Sequence, residues 1–517
     1  MDRKLFYGDN IEILRDEARL PSGSVDLCYI DPPFNSKRHY FMIYNNEISG
    51  GSDKAQAKAF DDTWTWDANS EDDLSFVLDL SNIHSGKVTP QLADLIRGLT
   101  NVLGKGDLLS YLLHLSVRVV EIRRVLAPTG SFFLHCDQTA AHYLKLILDS
   151  VFLPNGGQFV NEIIWCYSQG GKGSKWFAKK HDNIFWYSKS KDYKFFPDEV
   201  RMPLTPHKQD KSGKSYGGRM GFDEEGREYV EKWGTGKKKL YRYYLDEGKI
   251  PEDWWTDINS LQAKEKERLG YPTQKPEKLL ERIIVSATEP GDTVLDVYCG
   301  CGTTVAVAEK HGRSWIGADI TFQSISLILK RLEETHPDRW EEIESSIYLD
   351  GIPRDIASAK ALAMKKDDRT RKEFEKWATL TFTANKALIN EKKGADGGID
   401  GLLYFMVDGE TNGKAVIQTK SGHVSRNLIA TLNSDRIREG AEVGIFITLE
   451  PPTKPMREEA SAVGTYKHPS FEKIYPRIQI VTIDEILEGK VVDLPLLRSE
   501  ILPTAKKHTE MGDQSLF

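Results

Sequence analysis

Apolar residues change their spacing repeatedly along the chain, and each change predicts an element. Lys4 to Tyr7 and Val25 to Ile30 are short runs of strand type, separated by the helical stretch "IEILRDEARL". "LSYLLHLSVRVVEIRRVL" carries apolar residues at helical spacing. "SFFLHCD" then reads as a strand, "AAHYLKLILDSVF" as a helix, and "EIIWCY" and "NIFWYS" as further strands. Later come the helix "PEKLLERIIVSAT", the strand–turn–helix "TVLDVYCGCGTTVAVAEKHG" and the strand "SWIGADI". A charge-dense helix from Ser324 to about Ser346 closes this unit. Such alternation predicts an α/β fold on a mainly parallel, helix-covered sheet.

Two segments break the rhythm. Residues 48–115 read as a polar, helical insertion, in which "NSEDDLSFVLDL" opens with N-cap residues followed by acids. It suits either a dimer surface with a second copy or a cover over an active site, and its composition does not choose. Residues 168–270 are basic, aromatic and rich in turns. After "DGIPRD" a smaller α/β unit follows: the helix "RKEFEKWATLTF", a hairpin from "LLYFMV" to "AVIQTK", the strand "VGIFITL" and a last strand "RIQIVTI". The expected organisation is a first unit over 1–346, a linker over 347–369, a second unit over 370–498 and a loose tail over 499–517.

Composition narrows the class. A chain of 517 residues is too long for one core, and 39% hydrophobic with 10% aromatic content fits an ordered protein. No apolar run approaches the roughly 20 residues that cross a bilayer. The start "MDRKLFYGDN" lacks the pattern of a secretory leader, so the cytoplasm is expected. Cys28, Cys136, Cys166, Cys299 and Cys301 are scattered without a CxxC pair, which predicts reduced thiols. The net charge of −7 excludes a uniformly basic coat. Between Tyr167 and Gly270, however, 22 Lys and Arg stand against 17 Asp and Glu, a local excess of +5. Here "KGSKWFAKKH" and "GKKKLYRYY" interleave cations with aromatic rings, which suits phosphate contact and base stacking.

Two turns carry candidate chemistry. In "VLDVYCGCGTT" a strand passes into a helix through Gly300 and Gly302, where glycine permits a tight reversal and the helix N-terminus offers free N–H groups. Asp319, 23 residues after Asp296, ends the next strand, where a carboxylate can accept hydrogen bonds from a ribose diol. Dinucleotide oxidoreductases share this layout, although the turn is not GxGxxG. The second turn is "VDLCYIDPPFNS", whose strand halts at Asp31, Pro32, Pro33 and Phe34, because proline donates no ladder hydrogen bond.

"DPPF" together with "DVYCGCGTT" resembles the S-adenosylmethionine-dependent DNA amino-methyltransferases, which modify adenine N6 or cytosine N4. That resemblance implies a Rossmann-like methyltransferase sheet with an inserted target-recognition region, double-stranded DNA as partner and a bacterial or phage restriction–modification setting. It implies that Asp31 and the Pro32 carbonyl accept hydrogen bonds from an exocyclic amine, that Pro33 stiffens the corner, and that Phe34 stacks on an extruded base. The amine is a poor nucleophile because its lone pair is delocalised into the ring. Two fixed acceptors localise that pair, so the corner is an electrostatic device set before the base arrives. The motif order, catalytic corner first and cofactor turn last, is similar to the permuted class called beta.

The same resemblance places Asp9 and Asn10 of "YGDN" beside the cofactor's adenine. It puts Thr273, Gln274 and Lys275 of "YPTQKPEKLLERII" in the methionine pocket, and Asp296, Tyr298, Gly300, Gly302, Thr303 and Asp319 around the rest of the cofactor. Tyr298 stands where phenylalanine is usual. His135 and Asp137 of "PTGSFFLHCD" fall near the target-base pocket, and 168–270 takes the target-recognition position. Cytosine-modifying members more often begin the catalytic motif with serine, so Asp31 points to adenine, with cytosine N4 the alternative.

In the second unit, "KKGADGGIDG" and a strand ending "VIQTK" bring an acid and a lysine to neighbouring strands, where they can converge on one divalent ion and one phosphate. Asp400, Gln418 and Lys420 resemble the PD-(D/E)xK nuclease core in its Mrr-like restriction endonuclease form. Asp400 is then the candidate Mg²⁺ ligand and Glu375 the helical acid, with Asp396 in the turn as the alternative. Gln418 is a neutral and weaker ligand than glutamate. The unit therefore reads as a restriction-endonuclease-like domain that either cleaves DNA or supports the methyltransferase without cleaving. A non-catalytic DNA-binding regulator is the third reading of the whole chain.

Overall fold

The computed structural model describes residues 1–34, 38–44, 55–62, 64–168, 175–203, 219–234, 239–262, 265, 267–269, 271, 273–353, 356–364, 368–383, 386–389, 398–407, 412–469 and 473–494. Asp396 lies outside them. A nine-stranded sheet organises the first unit, in the spatial order Trp254–Trp255, Gln158–Cys166, His181–Ser188, Leu126–Cys136, Val25–Ile30, Thr293–Asp296, Ser314–Asp319, Arg3–Tyr7 and Ile347–Asp350. Neighbours run parallel except for His181–Ser188, which is antiparallel to both of its partners.

The strand Val25–Ile30 explains why the sheet is covered on both faces. Cys28 and Ile30 enter one apolar cluster and Leu27 and Tyr29 the other, so an unbroken apolar run is what two-sided burial requires. Helices Asp107–Val125 and Ala141–Phe152 supply residues to the first cluster, and Glu277–Ala287, Thr303–Lys310 and Phe322–Thr335 to the second.

Several elements differ from expectation. The region 48–115 is not purely helical. An antiparallel ribbon, Arg38–Tyr44 with Ala55–Asp62, leads into it before the helices Ala68–Leu78, Leu80–His84 and Pro90–Leu103. The first of these helices is capped by Asp67, whose carboxylate accepts the Ser70 N–H at 2.9 Å, not by Asn69 or Ser70. The strand His181–Ser188 falls inside 168–270 yet sits in the middle of the main sheet. Beyond it, Arg219–Phe222, Glu228–Trp233 and Leu240–Tyr244 form a separate antiparallel sheet, before Trp254–Trp255 rejoins the main edge. The charge-dense helix is two helices, Phe322–Thr335 and Trp340–Ser346, broken at Pro337, whose missing N–H and ring cannot continue the first.

The second unit is a five-stranded sheet in the order Leu388–Ile389, Gly401–Met406, Asn412–Lys420, Val443–Thr448, Ile478–Thr482. Its first three strands are antiparallel and its last three parallel. Helix Asp368–Phe382 covers it as predicted, whereas Ile356–Ala363, Arg426–Arg438 and Lys454–Ala462 were not anticipated. Phe322 of the first unit is buried in the same apolar cluster as Phe374 and Trp377 of the second, so the two units share a seam. Among the described residues no helix is long and apolar enough to cross a membrane.

Candidate active site

Strands Val25–Ile30 and Thr293–Asp296 are adjacent and parallel, with Leu27 opposite Val294 and Cys28 opposite Leu295. Both therefore end on one edge of the sheet, and the corner starting at Asp31 and the turn holding Gly300 leave from neighbouring strand ends. In an open α/β sheet, ligands bind at such carboxyl ends. A third segment ties the two turns together. The Lys275 ammonium donates to Asp31 Oδ2 at 2.5 Å, while the Lys275 carbonyl accepts from Thr303 Oγ1 at 3.3 Å, at the first residue of the helix after the glycine turn. Motifs more than 240 residues apart in sequence are thus one side chain apart in space.

The corner at Asp31 is built asymmetrically. Asp31 Oδ2 is held by Lys275, but Asp31 Oδ1 is buried without a hydrogen-bond partner among the described residues. Phe34 is partly buried and stacks on His135, ring centres 5.9 Å apart and 23° between planes, with Lys275 Nζ 5.1 Å from the Phe34 ring centre. His135 is itself fully buried and fixed from both nitrogens, Nδ1 to the Tyr29 hydroxyl at 2.9 Å and Nε2 to Asp182 Oδ2 at 3.0 Å. Tyr167 donates to the other Asp182 oxygen at 3.1 Å. Burial pushes the Asp182 carboxyl up. Its hydrogen bond to His135, reinforced by nearby Lys275 and by Tyr167, outweighs burial and holds it below the ordinary carboxylate value. His135 therefore stands behind Phe34 as part of a braced buried network. Asp137 sits apart, its two oxygens closing the local turn on the Thr139 N–H and hydroxyl at 2.8 Å each.

The glycine turn is equally specific. Gly300 and Gly302 have φ of +51° and +73°, a region side chains avoid. A Cβ at Gly302 would lie 2.6 Å from Ile328 Cγ1, and one at Gly300 3.0 Å from the Tyr271 ring. Two acids hold this turn. Asp319 Oδ2 accepts the Gly300 N–H at 2.9 Å, and Asp319 Oδ1 accepts from Thr321. Asp296 accepts the Tyr298 N–H at 2.9 Å and the Thr304 hydroxyl at 2.6 Å. Burial pushes the Asp296 carboxyl up to about 7 against the pull of Thr304 and the Tyr298 N–H, and burial raises Asp319 as well. Thr303 is buried and also receives a hydrogen bond from Arg331 at 3.0 Å.

Asp9 caps the helix Asn10–Arg15 and Asn10 Nδ2 donates to the Val297 carbonyl at 3.0 Å, so the first strand's exit is fastened to the glycine turn. Arg118 secures both, Nε to Asn10 at 2.6 Å and Nη2 to Asp9 at 3.1 Å. Tyr298 pairs its hydroxyl with His114 at 2.8 Å. Burial raises that hydroxyl to about 12, against the opposing influence of Arg118 and Asn10. His114 and Arg118 belong to helix Asp107–Val125, so the helix that begins at the end of the 48–115 insertion walls this side of the site. Gln274 staples its own turn, accepting the Leu269 N–H at 2.8 Å and donating to the Glu267 carbonyl at 2.6 Å, and Thr273 is exposed with φ of +63°.

Sequence reasoning missed Arg118, His114, Tyr271 and Asp182. A charged residue inside the apolar run "LSVRVVEI" was the signal available for Arg118, since such a residue is buried only when paired.

In the second unit, Asp400 precedes strand Gly401–Met406. Its backbone N–H donates to the Ile417 carbonyl at 2.9 Å, and Asp400 Oδ2 accepts the Thr419 N–H at 2.7 Å. Burial raises its carboxyl, opposed by Lys420, the Thr419 N–H and Lys372. Gln418 donates to the Gly398 carbonyl at 3.0 Å, which leaves Gln418 Oε1 buried and unpartnered among the described residues. Glu375 is half-buried on the covering helix. Among the described residues no group of three or more His, Cys, Asp or Glu is gathered to hold a metal.

Residues 25–330 match the family model described as DNA methylase, and residues 367–488 match the one described as restriction endonuclease. The chain is 32% identical over 222 residues to the Type II methyltransferase M.BglII of Bacillus subtilis, covering 40% of this chain and 53% of that protein. It is 28% identical over 217 residues to the DNA adenine methyltransferase YhdJ of Escherichia coli (strain K12), covering 42% of this chain and 64% of that one. The chain thus spans little more than half the length of the first of these relatives. The solved PvuII DNA methyltransferase (cytosine-N4-specific) aligns over 68% of this chain and 95% of its own, at 16% identity and a TM-score of 0.36.

Proposed function

The chain belongs to the DNA methylase family, and we propose that it transfers a methyl group from S-adenosylmethionine to the N6 amine of an adenine extruded from double-stranded DNA. The observation that carries this reading is the Asp31 carboxylate, one oxygen fixed by a buried lysine and the other buried and, among the described residues, unpartnered. A buried acceptor without a donor is costly unless a ligand supplies one, and an exocyclic amine is such a donor. Asp31 Oδ1 and the Pro32 carbonyl draw the amine hydrogens, Phe34 receives the base, and the His135–Asp182 network keeps the Phe34 side of the pocket rigid. Asp at the head of the motif supports adenine over cytosine, as does the name of the YhdJ relative.

The cofactor site fits the cofactor. Two glycines clear the backbone at the helix N-terminus, and a carboxylate oxygen that accepts one N–H keeps a lone pair for a ribose hydroxyl. Asp319, Asp296, Asp9, Tyr298 and the glycine turn would hold it, and when bound it supplies an electrophilic methyl group. The antiparallel sheet from Arg219 to Tyr244 supports DNA as partner. It exposes Phe222, Trp233 and Tyr243, and Lys232 and Arg242 lie over the Tyr243 and Tyr229 rings. The second reading, a bifunctional enzyme that also cleaves DNA with Mg²⁺, is favoured by the Gln418 oxygen, buried without a partner among the described residues and two residues before Lys420.

Modified-base sequencing of DNA from cells expressing the protein tests the proposal, with N6-methyladenine at one recurring motif as the expected result. D31A should abolish the mark while leaving S-adenosylmethionine affinity within a few-fold. A mark retained in D31A, or found on cytosine, overturns the assignment.

A further inference from the structure

The family resemblance places Lys275 in the methionine pocket, and its ammonium engages the corner at Asp31. It lies 2.5 Å from Asp31 Oδ2, 3.5 Å from the Thr273 carbonyl and 5.1 Å from the centre of the Phe34 ring. Its side chain is 9% exposed, and that of Asp31 is 18% exposed. We propose that Lys275 is the positioning residue of the catalytic corner: it pins one carboxylate oxygen of Asp31 so that the other faces the target amine. This inference rests on the methyl-transfer reading above.

The argument is geometric. A carboxylate at the end of a strand rotates about χ2, and either oxygen can serve as acceptor. With no partner on either oxygen, Asp31 would sample orientations that offer the amine nothing. One short charge-assisted contact to Oδ2 removes that freedom and leaves the buried Oδ1 as the acceptor. The lysine backbone is fixed for this task, because its carbonyl accepts the Thr303 hydroxyl and its next residue, Pro276, caps the helix Glu277–Ala287. The same residue therefore couples the closure of the glycine turn to the orientation of Asp31. Binding of the cofactor against that turn and readiness of the acid become one structural event.

A lysine that only lined a cofactor pocket would act on cofactor affinity. A lysine that orients Asp31 acts on the transfer step. The test uses the full chain, tritiated S-adenosylmethionine and whole-genome-amplified DNA, which carries no methylation. K275M keeps the length and apolar stem without the charge, and K275R keeps the charge with a different reach. The expected result for K275M is a loss of roughly 100-fold in the single-turnover rate at saturating cofactor, the scale for removing one preorganised polar group. Its cofactor dissociation constant by calorimetry should change less than about three-fold. K275R should recover part of the rate, to within about 10-fold of the parent.

Should K275M bind cofactor ten-fold more weakly yet transfer at the parental rate once saturated, the pocket-wall role stands and the positioning role is overturned. Cofactor binding doubles as the check of folding. If K275M binds none, K275R decides, because cofactor affinity weakened ten-fold with a parental rate at saturation also overturns the proposal. An unaltered parent that incorporates no tritium at all overturns the methyl-transfer reading, and this inference falls with it.

Discussion

Glu373 accepts a hydrogen bond at 3.0 Å from the backbone N–H of Phe322, so a carboxylate of the second unit caps the helix that follows Asp319. The Thr321 hydroxyl caps the same helix from inside the first unit by accepting the Ser324 N–H, and Thr321 also hydrogen-bonds Asp319. Glu373 is buried, and its other oxygen pairs with Lys376 at 2.8 Å. Asp319 and the restriction-endonuclease-like domain thus meet at one helix start. The Phe322 side chain extends the contact into the second unit's apolar cluster.

E373A tests that clasp. It leaves the Phe322 N–H buried without a partner, a loss on the order of 1–3 kcal/mol. E373Q keeps an acceptor and should lose less than half as much. Denaturant unfolding monitored by tryptophan fluorescence measures both. An E373A curve that overlays the parent would mean that the contact contributes nothing to holding the units together.

Asp296 predicts a pH dependence. Its folded-state value lies near 7, above the roughly 3.9 of an unfolded aspartate, so the folded chain holds a proton that the unfolded chain has lost between those limits. The group therefore favours folding most below about pH 4. Its contribution drains away as pH rises toward 7, at up to about 1.4 kcal/mol per pH unit. D296N removes the titration and can still accept the Tyr298 N–H and donate to the Thr304 hydroxyl. The difference in melting temperature between D296N and the parent should grow in favour of D296N from pH 5 to pH 7 and flatten above. Parallel curves across that range would show that Asp296 ionises as freely as a surface acid.

What the sequence disclosed follows from where the constraints are local. Val25–Ile30 was readable because two-sided burial leaves an unbroken apolar run, and the glycine turn because Gly300 and Gly302 occupy backbone conformations that few other residues tolerate. The helix break at Pro337 was equally local and was passed over. The roles of individual site residues were not local. Lys275 reaches across 244 positions to Asp31, and Asp182 reaches His135 only because His181–Ser188 pairs beside Leu126–Cys136. That pairing register brings a polar strand start against a buried histidine, and no sequence period encodes it. Gln274 reads as a pocket residue from its neighbours in the motif, and the hydrogen bonds by which its amide closes its own turn have no sequence signal.

In the second unit, Asp400, Gln418 and Lys420 predict cleavage of DNA that depends on Mg²⁺. Gln418 and Lys420 lie on one strand, two residues apart and so on the same face, and Thr419 between them donates its N–H to Asp400. Asp400 and Gln418 Oε1 are oxygen ligands of the kind a hard divalent cation takes, and Gln418 Oε1 has no competing donor among the described residues. Two protein oxygens with one charge make a weak site, so Mg²⁺ should be needed at millimolar rather than micromolar concentration. DNA phosphates would supply the missing ligands. Supercoiled unmethylated plasmid should therefore be nicked by the parent in 10 mM Mg²⁺, roughly the upper end expected for so sparse a ligand set. D400N and K420A should abolish nicking while leaving methyl incorporation at the parental level. Q418E adds the absent charge and should lower the Mg²⁺ requirement. If the parent leaves the plasmid intact and Q418E does so too, Asp400 and Lys420 have no part in cleavage, and the domain serves the methyltransferase as a DNA-holding partner.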